Sequence, residues 1–185
     1  MNLNAQKGMT SIQTISEFEE IFNTYYARLC NYAYKLLLDH YRAEDAVQQV
    51  FSKLWEKRGE YNINTSIQSY LYKATYNMSI NEIKRTQKFN ALENEELVKL
   101  SDFDADVANN MNELETAIEK ALSIIPEKCR AIFVMSRYEE MKYKDIAQNL
   151  GISIKTVENQ MGKALKLMRM HLSEFISVVL ILLMK

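Results

Sequence analysis

Tyr143-Lys-Asp-Ile-Ala147-Gln-Asn-Leu150-Gly151-Ile152-Ser153-Ile-Lys-Thr156-Val157 decides how this chain is read. Two helices crossing at a tight turn need a small residue at the crossing, a glycine-like turn four residues on, and an apolar residue ten after the small one. Ala147, Gly151 and Val157 meet these three demands, while Ile146, Leu150 and Ile152 fill the core positions between them. The Ser153 hydroxyl suits the N-cap of the second helix. The spacing predicts a helix-turn-helix. With Ile154, Val157, Met161, Leu165 and Met168 turned inward, the outer face presents Lys155, Glu158, Asn159, Lys163 and Lys166, side chains suited to base edges and phosphates. An ordinary helical hairpin with a solvated basic face is the plain alternative. Gly162, in mid-helix, costs about 1 kcal/mol relative to alanine and permits either a close approach to DNA or looser packing.

The rest of the chain fits a helical protein. It has 185 residues, 48% of them apolar and 25% charged, which excludes disordered, collagenous and mucin-like classes. Four glycines and one proline are too few for a turn-rich β fold, so an all-α fold is expected. The formal net charge is −1, so no bulk positive field draws the chain to nucleic acid, and any DNA contact has to be local. Lys142 to His171 supply that locality, with six basic and two acidic residues. Cys30 and Cys129 lie far apart with no CxxC pair, and His40 and His171 sit at no zinc-site spacing. Buried or half-buried thiols, and neither metal nor cofactor, are expected. No nucleophile with a base and no phosphate-binding glycine loop supports an enzyme. The first twenty residues carry one lysine and no apolar run, so they read as no secretory signal, and a cytoplasmic protein is expected.

Toward the N-terminus, Ser16-Glu17-Phe18-Glu19 fits a capping box, and Phe18, Ile21, Phe22, Tyr25, Leu29, Ala33, Leu36 and Leu37 follow at helical steps. A second helix, from about Arg42 to Arg58, carries Val47, Val50, Phe51, Leu54 and Trp55, with Gly59 as a left-handed stop. Asp45, Gln48, Lys53 and Glu56 lie on its polar side, a face of mixed sign suited to solvent or to a protein partner. The third helix puts Ile67, Tyr70, Leu71, Ala74 and Met78 on its apolar side. Its Tyr72 and Tyr76 share one stripe and Lys73, Asn77, Asn81 and Arg85 the next. Rings beside amides and cations suit single-stranded bases, although tyrosines at this spacing also serve as half-buried core. From Glu93 to Glu119 nine acidic residues stand against one lysine, Lys99, which reads as a linker grading into helix near Asn112. Leu114 to Leu122, then Ile125-Pro126, open a second helical domain. The expected division is therefore an N-terminal tail (1–15), a three-helix domain (16–90), an acidic linker (91–112), a helix-turn-helix domain (113–172) and an apolar C-terminal tail (173–185).

In this order the segments resemble the extracytoplasmic-function (ECF) group of sigma-70 family RNA polymerase sigma factors, over about Ser16 to Leu172. Asp45-Ala-Val-Gln48-Gln-Val-Phe51-Ser-Lys-Leu54-Trp55 resembles the family's helix that docks on core polymerase. Ser69-Tyr70-Leu71-Tyr72-Lys-Ala-Thr-Tyr-Asn77, continuing to Arg85, is similar to the helix that opens the start-proximal promoter element. The resemblance implies a sigma region 2 domain followed by a sigma region 4 domain. It implies core polymerase contacts at Asp45, Gln48, Phe51 and Trp55. Start-proximal DNA contacts would lie at Asn62, Tyr72, Lys73, Tyr76, Asn77, Asn81 and Arg85, with a flipped nontemplate base captured near the loop 61–67. Upstream DNA contacts would lie at Lys155, Thr156, Glu158, Asn159, Lys163 and Lys166. The family usually has aspartate where this chain has Asn81, so a carboxylate role does not carry over. Leu122 to Arg130 resembles the entry to the second domain.

The implied partners are core RNA polymerase, promoter DNA and an anti-sigma factor. Balanced charge and two weak sites on one tether fit a protein that binds promoters only when mounted on the larger enzyme. Phe175 to Met184 is apolar apart from Ser177, too short to span a bilayer, and reads as an extension of the last helix that packs on its own domain or on a partner. The rival reading is a dimeric helix-turn-helix activator of the response-regulator or quorum-sensing kind, which lacks a linker-joined helical first domain such as this one.

Overall fold

The computed structural model describes residues 12, 14–58, 66–93 and 113–173. Among these the chain forms seven α-helices and no strand. The first, α1 (Ile15–Leu37), starts two residues earlier than Ser16 suggested: Thr14 is the N-cap, and it and Glu17 complete a reciprocal capping box. The motif Thr14-x-x-Glu17 overlaps Ser16-x-x-Glu19, and the upstream one closes. Leu38, at φ 57°, ends α1 in the left-handed region, and Asp39 caps α2 (His40–Glu56) through the Arg42 amide. This short connection makes α1 and α2 antiparallel. Their ring contacts record the register: Phe18 meets Trp55 at 5.1 Å, Phe22 meets Phe51 at 5.0 Å, and Tyr34 stacks on His40 at 3.9 Å. The helix ends at Glu56, and the stop expected at Gly59 lies outside the described residues.

α3 (Ile67–Glu93) lies across this hairpin, with Arg42 of α2 donating to Thr86 at 2.8 Å. It runs three residues into the expected linker; the remainder of that acidic stretch, up to residue 112, lies outside the described residues. The buried stripe of α3 also differs from the expected one. Leu71, Tyr72, Thr75 and Ser79 are buried, whereas Ile67, Tyr70, Ala74 and Met78 are half-buried. The physical reason is that α3 is covered on two sides, by α1 and α2 and again by a helix of the second domain.

The second domain comprises α4 (Glu113–Ile124), α5 (Glu127–Arg137), α6 (Tyr143–Leu150) and α7 (Ile154–His171). Pro126 opens α5, as its missing amide favours. Cys129 to Met135 are all buried, because α5 packs against α1, α6 and α7 together. Arg130 belongs to that run; its Nη1 donates to the Leu122 carbonyl at 3.2 Å near the end of α4, where a cation suits the helix terminus. Burial pulls its guanidinium below the ordinary value. The two cysteines are free thiols, Cys129 buried and donating to Gln160, Cys30 half-buried.

Candidate nucleic-acid interface

The helix-turn-helix forms as its spacing predicts. Gly151 occupies the left-handed region at φ 68°, where a side chain is strained, and Ser153 accepts the Thr156 amide at 3.0 Å to cap α7. Val157, Met161, Ala164 and Met168 are buried, so the inner face of α7 rests on its own domain. Ile154 is the exception among the residues expected inside. It is 47% exposed, because the first helical residue lies past the edge of the core. Lys155, Glu158, Asn159, Lys163 and Lys166 are all exposed on the opposite face, and Thr156 is half-buried beside the cap. Lys155 and Glu158 form an exposed pair at 3.6 Å, which leaves Lys163 and Lys166 as the uncommitted cations of this face among the described residues. Gly162 has open space where a Cβ would stand, so among the described residues no neighbour requires glycine there.

In the first domain, Asp45 and Gln48 are exposed on α2. Asp45 accepts from Gln49 at 2.7 Å and Gln48 donates to the Tyr26 hydroxyl at 3.4 Å. Phe51 is not on that face. It is 3% exposed and lies among Phe18, Phe22 and Tyr26, so it shapes the helix pair from within. Trp55 is half-buried, sandwiched between Phe18 and the Arg58 guanidinium, which sits 4.1 Å from the ring centroid.

On α3, Lys73, Asn77, Asn81 and Arg85 are exposed along one side and Tyr76 is half-buried beside them. Tyr72 is fully buried, edge-on to Tyr32 at 5.3 Å, with its hydroxyl donating to Glu139 of the second domain. Burial first, then this hydrogen bond, pushes the Tyr72 phenol well above its ordinary value. Asn62 and most of the loop 61–67 lie outside the described residues.

Two features escaped sequence reasoning. The first is an open groove of about 660 Å³ lined by Tyr41, Arg42, Asp45, Glu82, Arg85, Thr86 and Phe89, which joins the polar side of α2 to the end of α3. Tyr41 and Phe89, 88% and 58% exposed, were the available signal, being aromatics on otherwise polar turns. The second is the seam between the domains. Arg28 pairs with Glu139 at 3.2 Å, Tyr34 donates to Glu119 at 2.7 Å, Gln87 donates to Glu127 at 3.0 Å, and Lys35 sits 4.7 Å from the Tyr138 ring centroid. No local pattern announces pairs so distant in sequence.

A helix-turn-helix with a polar outer face, joined to a three-helix domain with cations and amides along its longest helix, defines a two-domain helical DNA-binding protein. Residues 21–89 match the model for sigma-70 region 2, and residues 115–168 match that for sigma-70 region 4. The chain belongs to the sigma-70 family of RNA polymerase sigma factors, in its ECF group. It is 23% identical to the ECF RNA polymerase sigma factor SigW of Bacillus subtilis, over 85% of this chain and 89% of that one. To the RNA polymerase sigma factor SigV of the same organism it is 26% identical, over 71% and 76%. Its fold is similar to that of the sigma factor RpoE in a co-crystal structure with the anti-sigma factor NepR from Bartonella quintana. That match has a TM-score of 0.68 at 20% identity and covers 86% of this chain and 98% of RpoE. CnrH, in complex with the cytosolic domain of CnrY, matches with a TM-score of 0.64 at 18% identity, over 87% and 90%. A region 2 domain ahead of the helix-turn-helix disfavours the dimeric activator reading.

Proposed function

We propose that α2 docks the protein on core RNA polymerase through Asp45, Gln48 and Trp55, with Phe51 shaping that helix from beneath. α3 then handles the start-proximal promoter strand through Lys73, Tyr76, Asn77, Asn81 and Arg85, with Tyr72 and Asn62 joining when the strand is captured. α7 enters the upstream major groove with Lys155, Thr156, Glu158, Asn159, Lys163 and Lys166. The observation that carries this reading is the separation of faces on α7: Val157, Met161, Ala164 and Met168 are buried on one side and Lys155, Glu158, Asn159, Lys163 and Lys166 are exposed on the other, behind a capped N-terminus. Lys163 and Lys166 suit phosphates, while Glu158 and Asn159 have the acceptor and amide chemistry that reads base edges.

The reading places the protein in the cytoplasm, where polymerase works, and gives it no catalytic step of its own. Among the described residues no helix is long and apolar enough to cross a membrane. An anti-sigma factor is the proposed inhibitory partner, supported by the two similar folds, each solved in complex with a protein partner. Transcription in vitro with core polymerase on a random promoter library tests the proposal. Initiation from a defined subset of promoters, dependent on this protein, is the expected result. Failure to associate with core polymerase, or initiation unaltered by its addition, overturns it.

A further inference from the structure

The turn between α5 and α6 carries a carboxylate into the first domain. Glu140, at φ 54°, adopts a conformation that side chains other than glycine seldom take, and its neighbour Glu139 points into the seam. The Glu139 side chain is only 8% exposed, while Arg28, which donates to it at 3.2 Å from α1, is 52% exposed. Its second donor is the Tyr72 hydroxyl of α3. Beside Tyr72, the Tyr32 hydroxyl is wholly buried and has no hydrogen-bond partner among the described residues. A carboxylate taken out of water must be paired, and a guanidinium with phenol donors is an anion seat. The same donors suit a phosphodiester. Tyr76, Lys73 and Asn77 continue from the seat along α3, a ring, a cation and an amide in the combination that tracks a single strand.

We propose that Arg28 and Tyr72 form a seat for a backbone phosphate of single-stranded DNA, and that Glu139 occupies it as an internal stand-in, making strand capture by the first domain and docking of the second mutually exclusive. The inference rests on reading α3 as the strand-binding helix. On this arrangement, departure of Glu139 leaves the Arg28 charge and the Tyr72 phenol unpaired on a protein whose net charge of −1 provides no general attraction for DNA. The second domain swings away before, or as, the strand enters.

The test uses the full-length protein and a fluorescein-labelled single-stranded oligonucleotide of mixed sequence, followed by anisotropy between 50 and 200 mM salt. Small-angle scattering reports the domain separation alongside. Glu139→Gln keeps the shape and removes the charge. It should bind the oligonucleotide about three- to tenfold more tightly than the parent, as expected for loss of one competing charged hydrogen-bond set, and increase the radius of gyration. In that background, Arg28→Gln should abolish the gain and reduce the salt slope by about 0.7, the signature of one lost single-strand phosphate contact. Tyr72→Phe, which removes one hydroxyl and leaves the core filled, should weaken binding without unfolding. Unchanged affinity in Glu139→Gln, or an unchanged salt slope on adding Arg28→Gln, overturns the proposal. The assay contains no polymerase, so failure of initiation leaves it intact. Loss of binding with Arg28→Gln but not with Lys73→Ala or Asn77→Ala would retain the seat and refute the strand path along α3.

Discussion

Replacing Phe51 with alanine separates a docking residue from a core residue. Its ring lies 5.0 Å from Phe22 and 6.0 Å from both Phe18 and Tyr26, two of the three in edge-on contact, and it is 3% exposed. Removing such a ring costs about 3–5 kcal/mol, from lost transfer energy, the cavity left behind and the broken aromatic contacts. Against a total stability of about 5–15 kcal/mol, that is a large fraction. Trp55 is the one tryptophan in the chain and lies one turn from Phe51 on α2, so its fluorescence reports unfolding of this domain alone. At a urea slope of about 1.5 kcal/mol/M the midpoint should fall by roughly 2–3 M. Asp45→Ala, on the exposed face of the same helix, should shift the midpoint by no more than about 0.5 kcal/mol equivalent, yet weaken core polymerase binding. A Phe51→Ala protein with an unmoved midpoint and impaired polymerase binding would refute the reasoning and return Phe51 to the docking surface.

Gly162→Ala should stabilise the second domain by about 1 kcal/mol, read by thermal melting, because no atom of the described residues occupies the Cβ position; a loss of upstream DNA affinity without loss of stability would show that DNA itself needs the space. Lys163→Ala, exposed and unpaired among the described residues, should weaken upstream binding by the holoenzyme evenly across sequences and lower the salt slope by about 1. Burial, followed by the Glu119 and Glu139 carboxylates, raises the Tyr34 and Tyr72 phenols above the ordinary value of 10.0. Unfolded tyrosines therefore lose their protons first, so this stabilisation is complete below pH 10 and disappears as pH climbs through the folded values. Urea midpoints taken at rising pH should stay flat toward pH 10 and then decline, with Tyr34→Phe blunting the decline.

Elements whose cause is local were legible in the sequence. Gly151 and Ser153 place the turn and cap of the helix-turn-helix because a left-handed residue and a hydroxyl acceptor act within one turn of chain. The outer face of α7 follows from 3.6-residue periodicity alone. The capping box at the start of α1 lies two residues before Ser16, a difference local sequence does not resolve, since Thr14 and Ser16 each stand three residues before a glutamate and composition does not rank them.

α3 was the least legible helix, and the reason is tertiary. Its periodicity describes one covered face, whereas contact with α1, α2 and α6 buries Thr75 and Ser79 and takes Tyr72 out of solvent. Phe51 likewise looked equally fit for a surface or a core, because an aromatic at that step suits both, and only the approach of α1 made it core.

By itself, then, the amino-acid order determined that the chain is helical, where its helix-turn-helix lies and which residues face outward from α7, since each depends on interactions within a few residues. Only the tertiary structure decided that Glu139 meets Arg28 and Tyr72, more than sixty residues away in each case, because that pairing depends on how two domains pack and has no counterpart in local spacing.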